Sequence, residues 1–162
     1  MKIELFLKLD GIDGESTDAH HRNEIELLSY NWSESQPVIH SGGGGGASAG
    51  KVQMQDLYCS LHSCSASPRL LLAVATGKRI KRAMLTVRRA GKTPLDFLQW
   101  TLGDVAVSAY QTAAEQGSGL PPTDQVSLHF NTITLEYRPQ QADGSLGAAI
   151  TAGWDVTKNQ AI

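Results

Sequence analysis

Five consecutive glycines, Gly42 to Gly46, lie inside the stretch Pro37 to Gly50, which reads PVIHSGGGGGASAG. Ordering such a segment is expensive. Fixing one backbone residue costs roughly 1–2 kcal/mol, and glycine loses the most freedom while offering no side chain to bury. A compact domain carries a connection this long either for a use or as tolerated disorder. Apolar residues on both sides of it recur with a period of two, the spacing of strands. The chain therefore reads as an all-β body with a long glycine-rich arm, residues 37–50, projecting from it.

Phosphate binding is one use for the arm. Gly45, Gly50 and Lys51 approach the G-x-x-x-x-G-K-[ST] cradle, but Val52 replaces the hydroxyl that would hold a metal ion. That motif also needs a strand before it and a helix after it. Here His40 and Ser41 precede it, and Val52 and Met54 alternate with Gln53 and Gln55 in strand phase. Two readings remain: a disordered connection, or an arm that becomes ordered only against another copy of the chain. The whole sequence favours the second.

At 162 residues the chain predicts one domain, residues 1–162, long enough to bury a core without staples. Charged residues make up only 19%, so its surface loses little on being covered by other protein. A net charge of −2 gives no general attraction to nucleic acid or to anionic membranes. No run approaches the roughly 18–20 apolar residues that span a bilayer. The N-terminus, MKIELFLKLD, is too short and too charged for a secretory signal. Synthesis and folding in the cytosol are expected, with export by a signal-independent machine left open. Cys59 and Cys64 are too few for a disulfide framework and carry no zinc or redox spacing, so they read as reduced, small apolar residues.

Along the chain, Ile3, Leu5, Leu7 and Leu9 form one face of a first strand, with Phe6 out of place on its polar side. Asp10 to Ala19 reads as a loop. A second strand carries Ile25, Leu27, Tyr30 and Trp32, while Ser29, Asn31 and Ser33 make a small polar face suited to water or a cavity. Beyond the arm, Val52 and Met54 change phase to Leu57, Cys59 and Leu61, which predicts a bulge near Gln55 and Asp56. One helix is expected over about 67–77, with Ser67 as its cap, Pro68 in its first turn and Gly77 as its stop. Its centre, Leu70 to Ala75, is apolar all round and must be covered on more than one side. Long strands follow, with Gly103 the expected kink and a phase change between Phe130 and Ile133. Long bulged strands in a chain of this size predict a mainly β fold, an antiparallel β-barrel with one flanking α-helix.

Catalytic signatures are missing. The five histidines lack metal-ligand spacing, and His20 and His21 point to opposite sides if extended. Neither a G-x-S-x-G elbow nor an H-E-x-x-H helix occurs. No catalytic, metal or cofactor residues are assigned, and the chain is not expected to be an enzyme. Lys78 to Lys92 holds half of the fourteen basic residues, without the interleaved aromatics of a base-stacking patch. Asp10 to Glu26 holds six acids and one base, Arg22. These segments either face each other between subunits, with Glu24, Glu26, Arg79 and Arg82 as candidate charges, or are unrelated solvated surfaces.

The start MKIELFLKLDGIDGES followed by HHRNEIELLSYNW, the glycine-rich arm, GKVQMQDL, the helix SPRLLLAVATGK, AMLTVRRAG and the C-terminal VSLHFNTITLEYRPQQADGSLGAAITAGWDV together resemble the haemolysin-coregulated protein (Hcp) family of type VI secretion systems. The resemblance runs in order through essentially the whole chain. It implies a β-barrel with a flanking helix, a homohexameric ring, and stacking of rings into the inner tube of a contractile injector. It implies as partners the spike protein at the tube tip, sheath proteins and small effector cargo in the lumen. It implies secretion with the tube, no catalytic site and no cofactor. Under it, Ser29, Asn31 and Ser33 become a candidate lumen wall, and Gly42, Gly43, Gly44, Gly45 and Gly46 a ring-stacking arm. The end at Ile162 leads to the expectation that no effector domain is fused. His20, His21 and the two cysteines lie outside the resemblance. A phage tail-tube protein of the same architecture and a monomeric binding module or small enzyme are the rival readings.

Overall fold

The computed structural model describes residues 1–38 and 50–162; Gly42 to Gly46 and His40 lie outside the described residues. The elements run β1 (Ile3–Leu9), β2 (Ile25–Glu26), β3 (Ser29–Asn31), β4 (Glu34–Ser35), β5 (Gln53–Met54), β6 (Leu57–His62), α1 (Ser67–Thr76), β7 (Arg79–Arg89), β8 (Leu95–Ala113), β9 (Thr123–His129), β10 (Thr132–Tyr137), β11 (Ile150–Asp155) and β12 (Gln160–Ala161).

The expected antiparallel, mainly β architecture with one helix is what forms. The main sheet runs β12-β11-β10-β8-β7-β1-β2, while β9 pairs with both β8 and β6, and β6 pairs with β3. β2 and β3 are consecutive, so the wall comes round on itself at Leu27–Leu28. There the Leu27 N–H donates to the Leu5 carbonyl, and the next N–H, of Leu28, donates to Ser60 on β6. β2 and β3 do not pair with each other, so the ladder of hydrogen bonds stops there and the expected barrel is not closed.

Strand alternation explains the core. Leu7 lies opposite Leu85, and Leu85 opposite Trp100, while Ala83 lies opposite Leu102. Partners in register share a face, and this face meets Leu57, Leu61 and Leu128, all essentially inaccessible, inside the barrel. Cys59 is buried there too, and burial pushes its thiol up to about 12. It behaves as the small apolar residue the sequence suggests.

β8 is the longest element, and it forks the sheet. Its N-terminal half pairs with β10 and its C-terminal half with β9. The kink expected at Gly103 falls one residue later, at Asp104, whose φ is 51°. Arg79 and Asn131 both donate to the Asp104 carboxylate and hold the corner. That contact keeps the Asp104 carboxyl below its ordinary range and the Arg79 guanidinium above its own. Beyond the fork, β10, β11 and β12 extend as a wing from the barrel.

Two local expectations change. The bulge expected at Gln55 and Asp56 is a break: β5 pairs with β4 in a separate ribbon, while β6 belongs to the main sheet. Asp56 anchors the break by accepting from Ser108 at 2.6 Å and binding His129 Nδ1 at 2.9 Å. The helix spans Ser67–Thr76, but its cap is Ala66, which contributes no side-chain hydrogen bond. The Ser67 hydroxyl is drawn instead to Asp124 at 2.5 Å, and it accepts from the Cys64 N–H. Pro68 sits in the first turn and Gly77 ends the helix in the left-handed conformation, at φ 66°, as expected.

Phe6 is the sharpest departure from simple alternation. It points to the outer side of β1, yet is only 3% exposed. The loop after β1 folds back over it. Gly14 permits that fold, because a Cβ there would collide with the backbone at Glu24. His21 stacks on the Phe6 ring with centroids 4.3 Å apart.

Candidate functional site

Three surface features carry the residues that the sequence singles out. The first is the polar face of β3. Tyr30 and Trp32 pack against the core, while Ser29, Asn31 and Ser33 are all exposed. Ser29 pairs with Ser60 and Asn31 with Tyr58 across to β6, and the two serine hydroxyls meet at 2.5 Å. The result is a small, uncharged, exposed surface on a pair of hydrogen-bonded strands.

The second feature is the root of the arm. β4 and β5 form a two-stranded ribbon, with Glu34 opposite Met54 and Ser35 opposite Gln53. Past it, the Gln36 side chain donates to the Gly50 carbonyl at 2.6 Å and the Gly50 N–H donates to Pro37. The two stems on either side of the glycine-rich stretch therefore lie side by side, and Gly42 to Gly46 fall outside the described residues. The ribbon lies over the apolar face of the wing. Between them is a pocket of about 700 Å³ lined by Trp32, Val52, Met54, Trp100, Leu135 and Trp154, among others. Trp32 and Trp100 meet at 5.3 Å, and the Trp32 indole donates to the Gln55 carbonyl. Each tryptophan is legible in the sequence as a strand residue, but their convergence is not, because it depends on the fork in β8.

Third are the charged segments. Glu24 engages His21 Nδ1 at 2.9 Å, and Arg79 engages Asp104 at 2.8 Å, so both candidates have partners within the subunit. Glu26 and Arg82 are exposed. The acidic and basic segments also meet inside one subunit: Asp18 binds Arg88 at 2.6 Å, and Arg88 binds Glu4 at 2.7 Å. That buried cluster went unrecognised in the sequence. Its signal is the opposite charge of the two segments together with the misplaced Phe6, over which the Arg88 guanidinium lies at 4.7 Å.

Among the described residues, no group of three or more His, Cys, Asp or Glu side chains is placed to hold a metal ion. Ser108, Asp56 and His129 are neighbours, but the carboxylate lies between the hydroxyl and the imidazole. A general base must instead reach the nucleophile directly, so the trio is an anchor for the β5–β6 break. No helix among the described residues is long and apolar enough to cross a membrane.

An antiparallel, mainly β fold with a single helix is the class of protein that this chain defines. Comparison with known proteins gives its family. A family model described as "Type VI secretion system effector, Hcp" matches residues 6–137, and the chain belongs to that family. It is 37% identical to protein hcp1 of Pseudomonas aeruginosa over 161 residues, covering 98% of each chain. Its fold matches the crystal structure of Hcp1 from Salmonella typhimurium, with a TM-score of 0.81 and 35% identity over 100% of both chains. A solved structure described as a type six secretion system protein matches with a TM-score of 0.94 at 28% identity, over 99% of this chain and 100% of the other.

Proposed function

We propose that this chain is a structural subunit of a type VI secretion tube, assembling as a homohexameric ring that stacks on further rings and leaves the cell with them. The single observation that carries this is the near full-length match to Hcp proteins in sequence and fold. The surface features are consistent with it. Different patches meeting head to tail close into rings when the rotation permits, and an arm at one end suits contact between rings. No catalytic role is assigned. Spike, sheath and effector cargo are the proposed partners, and Glu26 and Arg82 are the exposed charges proposed to face a second copy. If they do, ring assembly weakens as salt rises; assembly indifferent to ionic strength removes them.

Light scattering tests the reading directly. The purified protein is expected to have several times the subunit mass of 17.4 kDa. A particle that keeps the subunit mass at high concentration sinks it. Deletion of Gly42 to Gly46 is expected to leave ring mass and circular dichroism unchanged while abolishing tube formation in negative-stain images. Tubes as long as those of the parent protein would remove the arm from stacking.

Ser29, Asn31 and Ser33 are proposed to line the lumen and touch cargo. Their exposure on an uncharged pair of strands supports this. Replacing Asn31 with tryptophan is expected to leave rings intact, since the side chain is exposed, and to lower co-purification of a bound effector at least tenfold. Undiminished co-purification places cargo elsewhere.

A further inference from the structure

The pocket beneath the arm root lacks an occupant among the described residues, and α1 carries a bare apolar ridge. On α1, Leu70 and Ala73 face the barrel, while Leu71 and Leu72 are 56% and 58% exposed. Burying two leucines on association is strongly favourable, about 1.5–3 kcal/mol for each full side chain, so their shared exposure on a ten-residue helix marks a contact surface. The pocket is the matching concavity. It is lined by three tryptophans, Trp32, Trp100 and Trp154.

Charge selects between possible occupants. Arg69 is the only charged residue of α1, beside the leucine ridge. Among the described residues, Glu34 is the only charged one lining the pocket. Both are exposed, and neither has an ion-pair partner among the described residues. The two patches are different surfaces of one subunit. Trp100, in the pocket, and Tyr110, which meets Ser67 of α1 at Asp124, are ten residues apart on β8, on opposite sides of the corner at Asp104.

We propose that α1 of one copy seats Leu71 and Leu72 in the tryptophan-lined pocket of the next copy, with Arg69 beside the neighbour's Glu34. The contact is head to tail, because ridge and pocket are different surfaces at different ends of the same strand, and repeating it builds a ring or a helical array. The inference rests on the self-assembly proposed above and names the surfaces that carry it.

Light scattering over a dilution series, with circular dichroism as the check on folding, tests the contact. Leu72→Asp is expected to raise the concentration needed for assembly at least tenfold. Arg69→Glu and Glu34→Arg are each expected to weaken assembly, and the double reversal to restore it, since like charges facing across an interface repel and opposite charges attract in either order. Assembly of the single reversals at the parental concentration, as when residues 39–49 of the same chain fill the pocket, overturns the contact. So does a double reversal that fails to rescue. A parent protein that never assembles overturns the tube reading; a parent that assembles while the variants match it overturns only this inference.

Discussion

Replacing Arg88 with alanine is expected to lower subunit stability by about 3 kcal/mol, the lower end of the roughly 3–5 kcal/mol typical for breaking a buried pair. Arg88 is 5% exposed and binds two acids at once. Its Nη1 and Nη2 donate to both Asp18 oxygens at 2.8 and 2.6 Å, and its Nε and Nη2 donate to one Glu4 oxygen at 3.0 and 2.7 Å. Removing it leaves two carboxylates facing each other. Both retain partial access to water, with side-chain exposures of 29% for Glu4 and 25% for Asp18, which is why the lower end is chosen. The substitution also strips one partner from Phe6, which then holds the loop through His21 alone. His21 is in turn placed between Glu24 at 2.9 Å and Asp96 at 3.1 Å, so the loop after β1, β7 and the start of β8 loosen together. Urea midpoints at pH 7 measure the effect, and a loss under 1 kcal/mol would show the cluster to be ornamental.

Acid titrates the same contact. The hydrogen bonds from Arg88 hold the Asp18 carboxyl well below the usual carboxylate range. A depressed carboxyl stabilises the fold above its unfolded value, about 3.9, and that contribution fades as pH falls below it toward the folded value. The parent protein should therefore lose stability below about pH 4, and Arg88→Ala should show a shallower loss over the same window.

Asp124→Ala is the second large effect, expected at about 3 kcal/mol. Asp124 is fully buried and has no ion-pair partner among the described residues; hydroxyls satisfy it. Ser63 and Ser67 donate at 2.7 and 2.5 Å, and Tyr110 at 3.0 Å. Burial pushes the Asp124 carboxyl up, but the hydroxyls of Ser67, Ser63, Thr112 and Tyr110 together outweigh it and hold the group below its ordinary range. Burial, and then Asp124 itself, pushes the Tyr110 phenol the other way. Alanine leaves several buried hydroxyls without an acceptor, each costing roughly 1–3 kcal/mol less whatever relaxation recovers. Asparagine keeps the shape and one oxygen, and should cost about half as much. Because Ser63 and Ser67 flank the start of α1, hydrogen exchange in the helix should accelerate well before that of β7. Uniform exchange throughout the barrel would show that Asp124 does not specifically anchor α1.

This anchor explains why a sequence rule failed at the helix start. A serine followed by proline at the head of an apolar run is a reasonable cap, and Ser67 has the right neighbours. The stronger acceptor, Asp124, is fifty-seven positions away in the chain and becomes available only when the first residues of β9 come to the start of α1. Phe6 failed for a related reason. Alternation assigns it to water, and it would sit there if the loop carrying Asp18 and His21 did not close over it. The breaks at Gln55 and Phe130 were legible as changes of phase, but whether a phase change is a bulge or a passage between sheets depends on which partner strand waits beyond it.

From the sequence alone came the strands, the one helix with its glycine stop and the family, because each is a short-range pattern or an ordered set of such patterns. Period-two alternation fixes which side of each strand seeks the core, and a run of five glycines has no face to bury. Tertiary structure decided the fork in β8, the pairing of the acidic loop with Arg88 and the gathering of three tryptophans into one pocket. Those contacts join residues far apart in the chain, and their free energy exists only after the strands have chosen their neighbours.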